Sequence, residues 1–152
     1  MNDEWGTPDW PFRYLNKFYE FELDIAAKAE NTKCKRWLVN AFKDSWLPAK
    51  AVWCNPPYSS GQVERWLNIC YHKRAEYWRI AVLLPVDTST NWFQRFRKRT
   101  QLVLFFNRRI SFIGADNTAR FASCLFVFGD DQVDKQEEIK HLNVLGDVWL
   151  TR

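Results

Sequence analysis

The chain has 152 residues, 47% of them hydrophobic and 26% charged, which suits one domain over residues 1–152 with a core of its own. No apolar run approaches the ~20 residues that span a bilayer, and the acidic, aromatic start "MNDEWGTPDW" is unlike a signal peptide, so the expectation is a cytoplasmic protein with no membrane partner. Four cysteines without a C-x-x-C pair and only two histidines offer no zinc-ligand spacing; no metal is expected, and the thiols are expected to be reduced and mostly buried.

In chain order, "TPDWPFRYLNKFYEF" opens with Thr7 as a helix cap and Pro8 at the first helical position, and Trp10, Tyr14, Leu15 and Phe18 recur at helical spacing. "FELDI" reads as a short strand ending at an acid. A helix is expected over residues 36–43. "AVWC" reads as a buried strand that stops at two prolines, since neither a central strand nor a helix interior accepts them. Val63, Trp66, Leu67 and Cys70 fall at i, i+3, i+4, i+7, the pattern of an amphipathic helix. "RIAVLLP" is apolar almost throughout, as a strand covered on both faces would be. "DTSTNWFQRFRKR" moves from polar turn residues, with Thr88, Ser89 and Asn91 as candidate caps and substrate contacts, into a basic helix. "QLVLFF", "RISFI" and "ASCLFVF" are three further strand candidates, and the tail is expected to pack back as a strand or helix.

Strands alternate with helices first and cluster late, which implies an α/β sandwich, parallel at first and antiparallel at its end. Ligands of such sheets bind beyond the carboxyl ends of the strands, where Asp24, Asn55 and the segment after Pro85 all fall.

The net charge of +4 is unevenly spread. Residues 130–152 hold six acids against three bases, whereas residues 95–120 hold seven bases against Asp116 alone. A local positive surface favours a polyanion such as nucleic acid, and equally fits a solvated basic helix face. The late apolar cluster of the tail, Val144, Leu145, Val148, Trp149 and Leu150, offers a surface for pairing with a second copy, so a homodimer is allowed.

The corner "NPPY" (residues 55–58) carries the most chemistry. An amine on an aromatic base is a poor nucleophile because its lone pair is delocalised into the ring. Acceptors for the amine hydrogens let that nitrogen pyramidalise as it attacks. Asn55 supplies a side-chain carbonyl, Pro56 a main-chain carbonyl held by the stiff Pro56-Pro57 unit, and Tyr58 a flat face for the base. Rigid alignment of this kind is worth several kcal/mol.

An apolar strand ending in Asn-Pro-Pro-Tyr resembles the catalytic motif of S-adenosylmethionine-dependent amino-methyltransferases. The ordered set "EWGTP", "FELDIAA", "NPPYS", "VLLPVDTSTNWF", "RRISF" and "ASCLFVFG", over residues 4–129, resembles the phage-encoded DNA N6-adenine methyltransferase family. The resemblance implies a reduced Rossmann-like methyltransferase sandwich with a mostly parallel central sheet and an antiparallel end. It implies methyl transfer from S-adenosylmethionine to adenine N6 in double-stranded DNA, with the target base flipped out of the helix. Asn55, Pro56, Pro57 and Tyr58 would then be catalytic. Thr7 and Pro8 would meet the methionine end of the cofactor at a helix start, with Trp5 packing on it. Asp24 and Asp44 would take its amino or hydroxyl groups, and Asn55 would touch it as well. Arg95, Arg97, Lys98 and Arg99 would meet phosphates, while Arg109 and Phe112 would hold the extruded base or contact DNA.

The chain departs from the wider enzyme class in two ways. "DIAAKAENTK" has no glycine where many such enzymes have a Gly-rich turn, and only 31 residues separate Asp24 from Asn55. A methyltransferase acting on RNA or a protein amide, or a non-catalytic DNA-binding module on the same scaffold, uses the same residues and stays open.

Overall fold

The computed structural model describes residues 6–59, 61–114 and 121–151. The elements run α1 (Asp9–Tyr19), β1 (Phe21–Asp24), β2 (Arg36–Trp37), β3 (Ala51–Cys54), α2 (Gln62–Lys73), β4 (Arg79–Pro85), α3 (Asn91–Phe96), β5 (Leu102–Phe106), β6 (Ser123–Phe128), α4 (Gln136–Leu142) and β7 (Gly146–Leu150). The strands form one seven-stranded sheet in the order β2-β1-β3-β4-β6-β5-β7. Strands β1 to β4 are mutually parallel, and β6, β5 and β7 add on with antiparallel pairings. The expected α/β architecture, parallel first and antiparallel at its end, is the one observed.

Alternation along the strands sorts side chains to two faces. Ile80, Val82 and Leu84 of β4 meet α2 and α3 through Leu67, Cys70, Phe93 and Phe96. Ala81 and Leu83 meet α1 and α4 through Leu15, Tyr19 and Leu142. Cover on both faces explains why β3, β6 and nearly all of β4 read as unbroken apolar runs. All four cysteines are free and buried, and burial pushes the Cys54 and Cys124 thiols well above their usual range.

Several local expectations change. Residues 36–43 are not helical: Arg36 and Trp37 pair with Leu23 and Asp24 as β2, and Asn40 then closes a turn with Lys43 and Asp44. "RISFI" forms no ladder strand; Ile113 makes an isolated bridge to Gly6, with two N–H···O bonds of 2.9 Å. Pro8, not Thr7, is the cap residue of α1, and no side chain caps that helix. Thr90, not Thr88, Ser89 or Asn91, caps α3 by accepting the Phe93 N–H. The basic helix ends at Phe96, and Arg97 to Arg99 follow as a single tight turn. The tail supplies both α4 and β7. Among the described residues no helix is long and apolar enough to cross a membrane.

Candidate active site

The carboxyl ends of β1 and β3 lie side by side, because Asp24 pairs with Trp53 and so sits next to Cys54 and Asn55. The Gly6–Ile113 bridge pins the chain before α1 to this same end of the sheet. A cleft of about 340 Å³ opens there, lined by Thr7, Asp24, Asn55 and Pro57 together with the loop after β1 and Trp66 of α2. That volume is within the ~300–1,000 Å³ usual for small-molecule sites.

Asn55 and Pro57 face the cleft, Pro56 is buried, and Tyr58 is half-buried. The Tyr58 hydroxyl donates toward the Leu83 carbonyl (2.9 Å) and Asn55 Oδ1 (3.0 Å). The corner is thus tied to the neighbouring strand β4 and to its own amide. Burial raises the Tyr58 pKa well above its ordinary value, so the phenol stays protonated and remains a donor. An amide oxygen has two lone pairs, and the tyrosine bond uses one acceptor position of Asn55 Oδ1. Phe112 and Phe121 meet the Tyr58 ring edge-on, at 6.2 and 5.9 Å between centroids. Phe112 is only 4% exposed. It therefore props the Tyr58 ring rather than offering a face of its own.

Asp24 is 3% exposed. Its two oxygens accept the backbone N–H groups of Ala26 (3.2 Å) and Lys33 (3.0 Å). Burial lifts its pKa to about 6, against the opposing pull of those bonds and of the Lys33 charge. The carboxylate consequently shapes the glycine-free loop after β1 and also lines the cleft. Thr7 is 2% exposed and lines the same cleft, and its hydroxyl has no partner among the described residues. The Trp66 indole N–H is likewise buried and unpartnered there.

The remaining expected residues are dispersed. Asp44 is exposed, lies outside the cleft lining, and accepts the Asn40 N–H of its own turn at 3.3 Å. Trp5 lies outside the described residues. Arg109 follows β5 at the cleft end of the sheet. Arg97, Lys98 and Arg99 precede β5 at the opposite end: Leu102 pairs with Val127, which pairs with Ala81 near the start of β4. Seven residues of β4 put roughly 20 Å between the two ends. Arg97 lies over Trp149 (4.7 Å), Arg99 over Tyr71 (5.1 Å), and Arg95 forms an ion pair with Glu64. The basic run is thus a surface of α3 and its following turn, away from the cleft. Sequence reading passed over Lys28, Asn31, Lys33 and Trp66, all of which line the cleft. The one sequence signal for the three loop residues was the polar, glycine-free stretch itself, and Trp66 showed there only as part of the apolar stripe of α2. Among the described residues no group of three metal-ligating side chains comes together.

A DNA N-6-adenine-methyltransferase (Dam) family model matches residues 1–127. The chain is 31% identical over 137 residues to a DNA N-6-adenine-methyltransferase of Escherichia phage T1, covering 86% of this chain and 56% of that protein. It is 33% identical over 117 residues to a DNA N-6-adenine-methyltransferase of Haemophilus phage HP1 (strain HP1c1), covering 73% of this chain and 66% of that one. The chain therefore spans between about half and two thirds of the length of these relatives. With the family match extending from the first residue through β3, the Asn55 corner and β4 to Val127, the chain belongs to the DNA N-6-adenine-methyltransferase family.

Proposed function

We propose that the protein transfers a methyl group from S-adenosylmethionine to the N6 amine of adenine in double-stranded DNA. The observation that carries this reading is the Asn55–Tyr58 corner, fixed at the end of β3 on the wall of a cleft shared with Asp24 and Thr7. The cleft residues fit the cofactor: a buried unpartnered hydroxyl, an uncapped helix start and a carboxylate are polar complements for an amino-acid end. When bound, S-adenosylmethionine supplies an electrophilic methyl on a sulfonium leaving group.

Asn55 Oδ1 and the Pro56 carbonyl accept the amine hydrogens, so the nitrogen lone pair turns toward the methyl. Tyr58 offers its ring to the flipped base, with Phe112 and Phe121 supporting it from the sides. Thr7 and Pro8 meet the methionine end, and Asp24 takes a donor of the cofactor. Arg109, at the cleft end of the sheet, meets the DNA backbone. The far-end cations Arg97, Lys98 and Arg99 are not needed for this chemistry.

Incubation with labelled S-adenosylmethionine and separate pools of DNA, RNA and protein tests the reading. Labelled N6-methyladenine recovered from DNA is the expected result. Label in RNA or protein would retain the Asn55 chemistry and replace the substrate. Absence of both transfer and cofactor binding would leave a DNA-binding module.

A further inference from the structure

Lys33 stands out among the cations of the surface. Lys33 lines the cleft and its side chain is 16% exposed, whereas its only carboxylate partner closer than 4 Å among the described residues, Asp9 at 3.4 Å, is 90% exposed. A desolvated ammonium gains little from a partner bathed in water. It also lies next to Asp9 in the first turn of α1, the end of a helix that repels cations and attracts anions. The Thr7 hydroxyl, 2% exposed and without a partner among the described residues, lines the same cleft. A cation, an orphan hydroxyl and an uncapped helix start converge on one place, where the acid nearest the ammonium, Asp9, is turned to solvent. Asp24, whose Oδ2 accepts the Lys33 backbone N–H, supplies the opposite charge on the adjoining wall.

Resting on the cofactor reading above, we propose that Lys33 binds the α-carboxylate of the cofactor's amino-acid end, so that Lys33 and Asp24 together read that end as a zwitterion. The chemistry is an ammonium paired with a carboxylate on one wall and a carboxylate paired with an ammonium on the other. A cofactor fragment that keeps the adenosine and lacks the amino acid gains nothing from Lys33.

Calorimetry with S-adenosylhomocysteine and with 5′-methylthioadenosine, which has no amino-acid end, tests this on the intact chain. Lys33→Met is expected to weaken S-adenosylhomocysteine by about tenfold or more, the scale of a lost charge-assisted bond, and to leave methylthioadenosine within about twofold. Lys33→Arg restores most of the difference. Asp9→Asn, which removes the exposed partner alone, leaves S-adenosylhomocysteine binding as tight as before or tighter. Equal losses for both ligands in Lys33→Met, no loss for either, or the same loss in Asp9→Asn would overturn the proposal and make Lys33 a structural partner of Asp9. Failure of the unaltered chain to bind either ligand would instead overturn the cofactor reading, and this proposal with it.

Discussion

At the scale of single residues, the corner at Asn55 shows how a short motif acquires rigidity from outside itself. Two prolines stiffen the main chain, but the Tyr58 hydroxyl is what anchors the side chains, through Leu83 on the neighbouring strand. Removing that hydroxyl leaves a fully buried carbonyl without its tyrosine partner, which costs about 1–3 kcal/mol. Tyr58→Phe is therefore expected to lower unfolding stability on that scale in urea and to slow methyl transfer by about tenfold, with a normal stacking ring still present. Asn55→Ala is expected to slow transfer by about a hundredfold, the scale on which one preorganised polar group acts, while calorimetry still detects S-adenosylhomocysteine. A variant with normal turnover would remove Asn55 from the chemistry. Asp24 makes a separate prediction through pH. Its folded pKa, about 6, lies above the ordinary value of 3.8. Between those values the folded chain holds a proton that the unfolded chain has released, so this group's contribution to stability falls as pH rises from about 4 to 6. A ligand that donates to the ionised carboxylate pulls the proton off. S-adenosylhomocysteine affinity is accordingly expected to rise from pH 5 to 7, with proton release visible in buffers of differing ionisation heat. In Asp24→Asn that rise disappears.

Elements differ in how openly the sequence declared them. The two long helices were readable as helices: α2 buries the stripe its spacing marked, Val63, Trp66, Leu67 and Cys70, whereas α1 buries Phe12, Leu15 and Tyr19 and shares only Leu15 with the expected face of Trp10, Tyr14, Leu15 and Phe18. Strands β3, β4 and β6 were readable because cover on both faces demands unbroken apolar runs. β2 was not, since two residues have no period and owe their conformation to pairing with β1. "RISFI" has the alternation of a strand but makes no strand pairing beyond the Gly6 bridge among the described residues. At the site, Asn55, Pro57, Asp24 and Thr7 were legible from strand ends and a helix start. Lys33 was not, because only the fold of a loop brings it beside α1. The same holds for the ion pair that locks α4 to the sheet. Arg79 and Glu138 are 1% and 3% exposed and meet at N–O distances of 2.9–3.3 Å, with the Tyr19 hydroxyl donating to Glu138 Oε2 at 2.7 Å. Nothing local marks partners 59 residues apart. Arg79 also pairs with the partly exposed Asp131, so deleting Glu138 leaves it one carboxylate and costs less than the about 3–5 kcal/mol of a fully stranded buried charge. Glu138→Ala should lose about 1.5–3 kcal/mol in chemical denaturation, the scale of a lost hydrogen bond to a charged group, and loosen α4, with the cleft residues unaltered in place.

At the scale of the whole molecule, the densest run of cations and the cleft lie at different ends. The basic excess of residues 95–120 reads in sequence as one patch, yet β5 carries the chain from one end of the sheet to the other within that window. Arg97, Lys98 and Arg99 stay at the end where β4 begins, and Arg109 arrives at the end where the cleft opens. In the proposed reaction a flipped adenine reaching Asn55 leaves its duplex against the cleft end, roughly 20 Å from the far cations. Every cation that neutralises a DNA phosphate adds about 0.9 to the steepness with which log affinity falls against log salt. Arg109→Gln is thus expected to make that dependence shallower by about one and to weaken a short duplex severalfold. Replacing Arg97, Lys98 and Arg99 together by glutamine is expected to leave binding and methylation of the same short duplex within about twofold. The reverse pattern, with the triple variant losing binding and Arg109→Gln keeping it, would place the duplex across the far end of the sheet. The base would then be too distant from Asn55 to reach it, and the cleft would have to act on some other substrate.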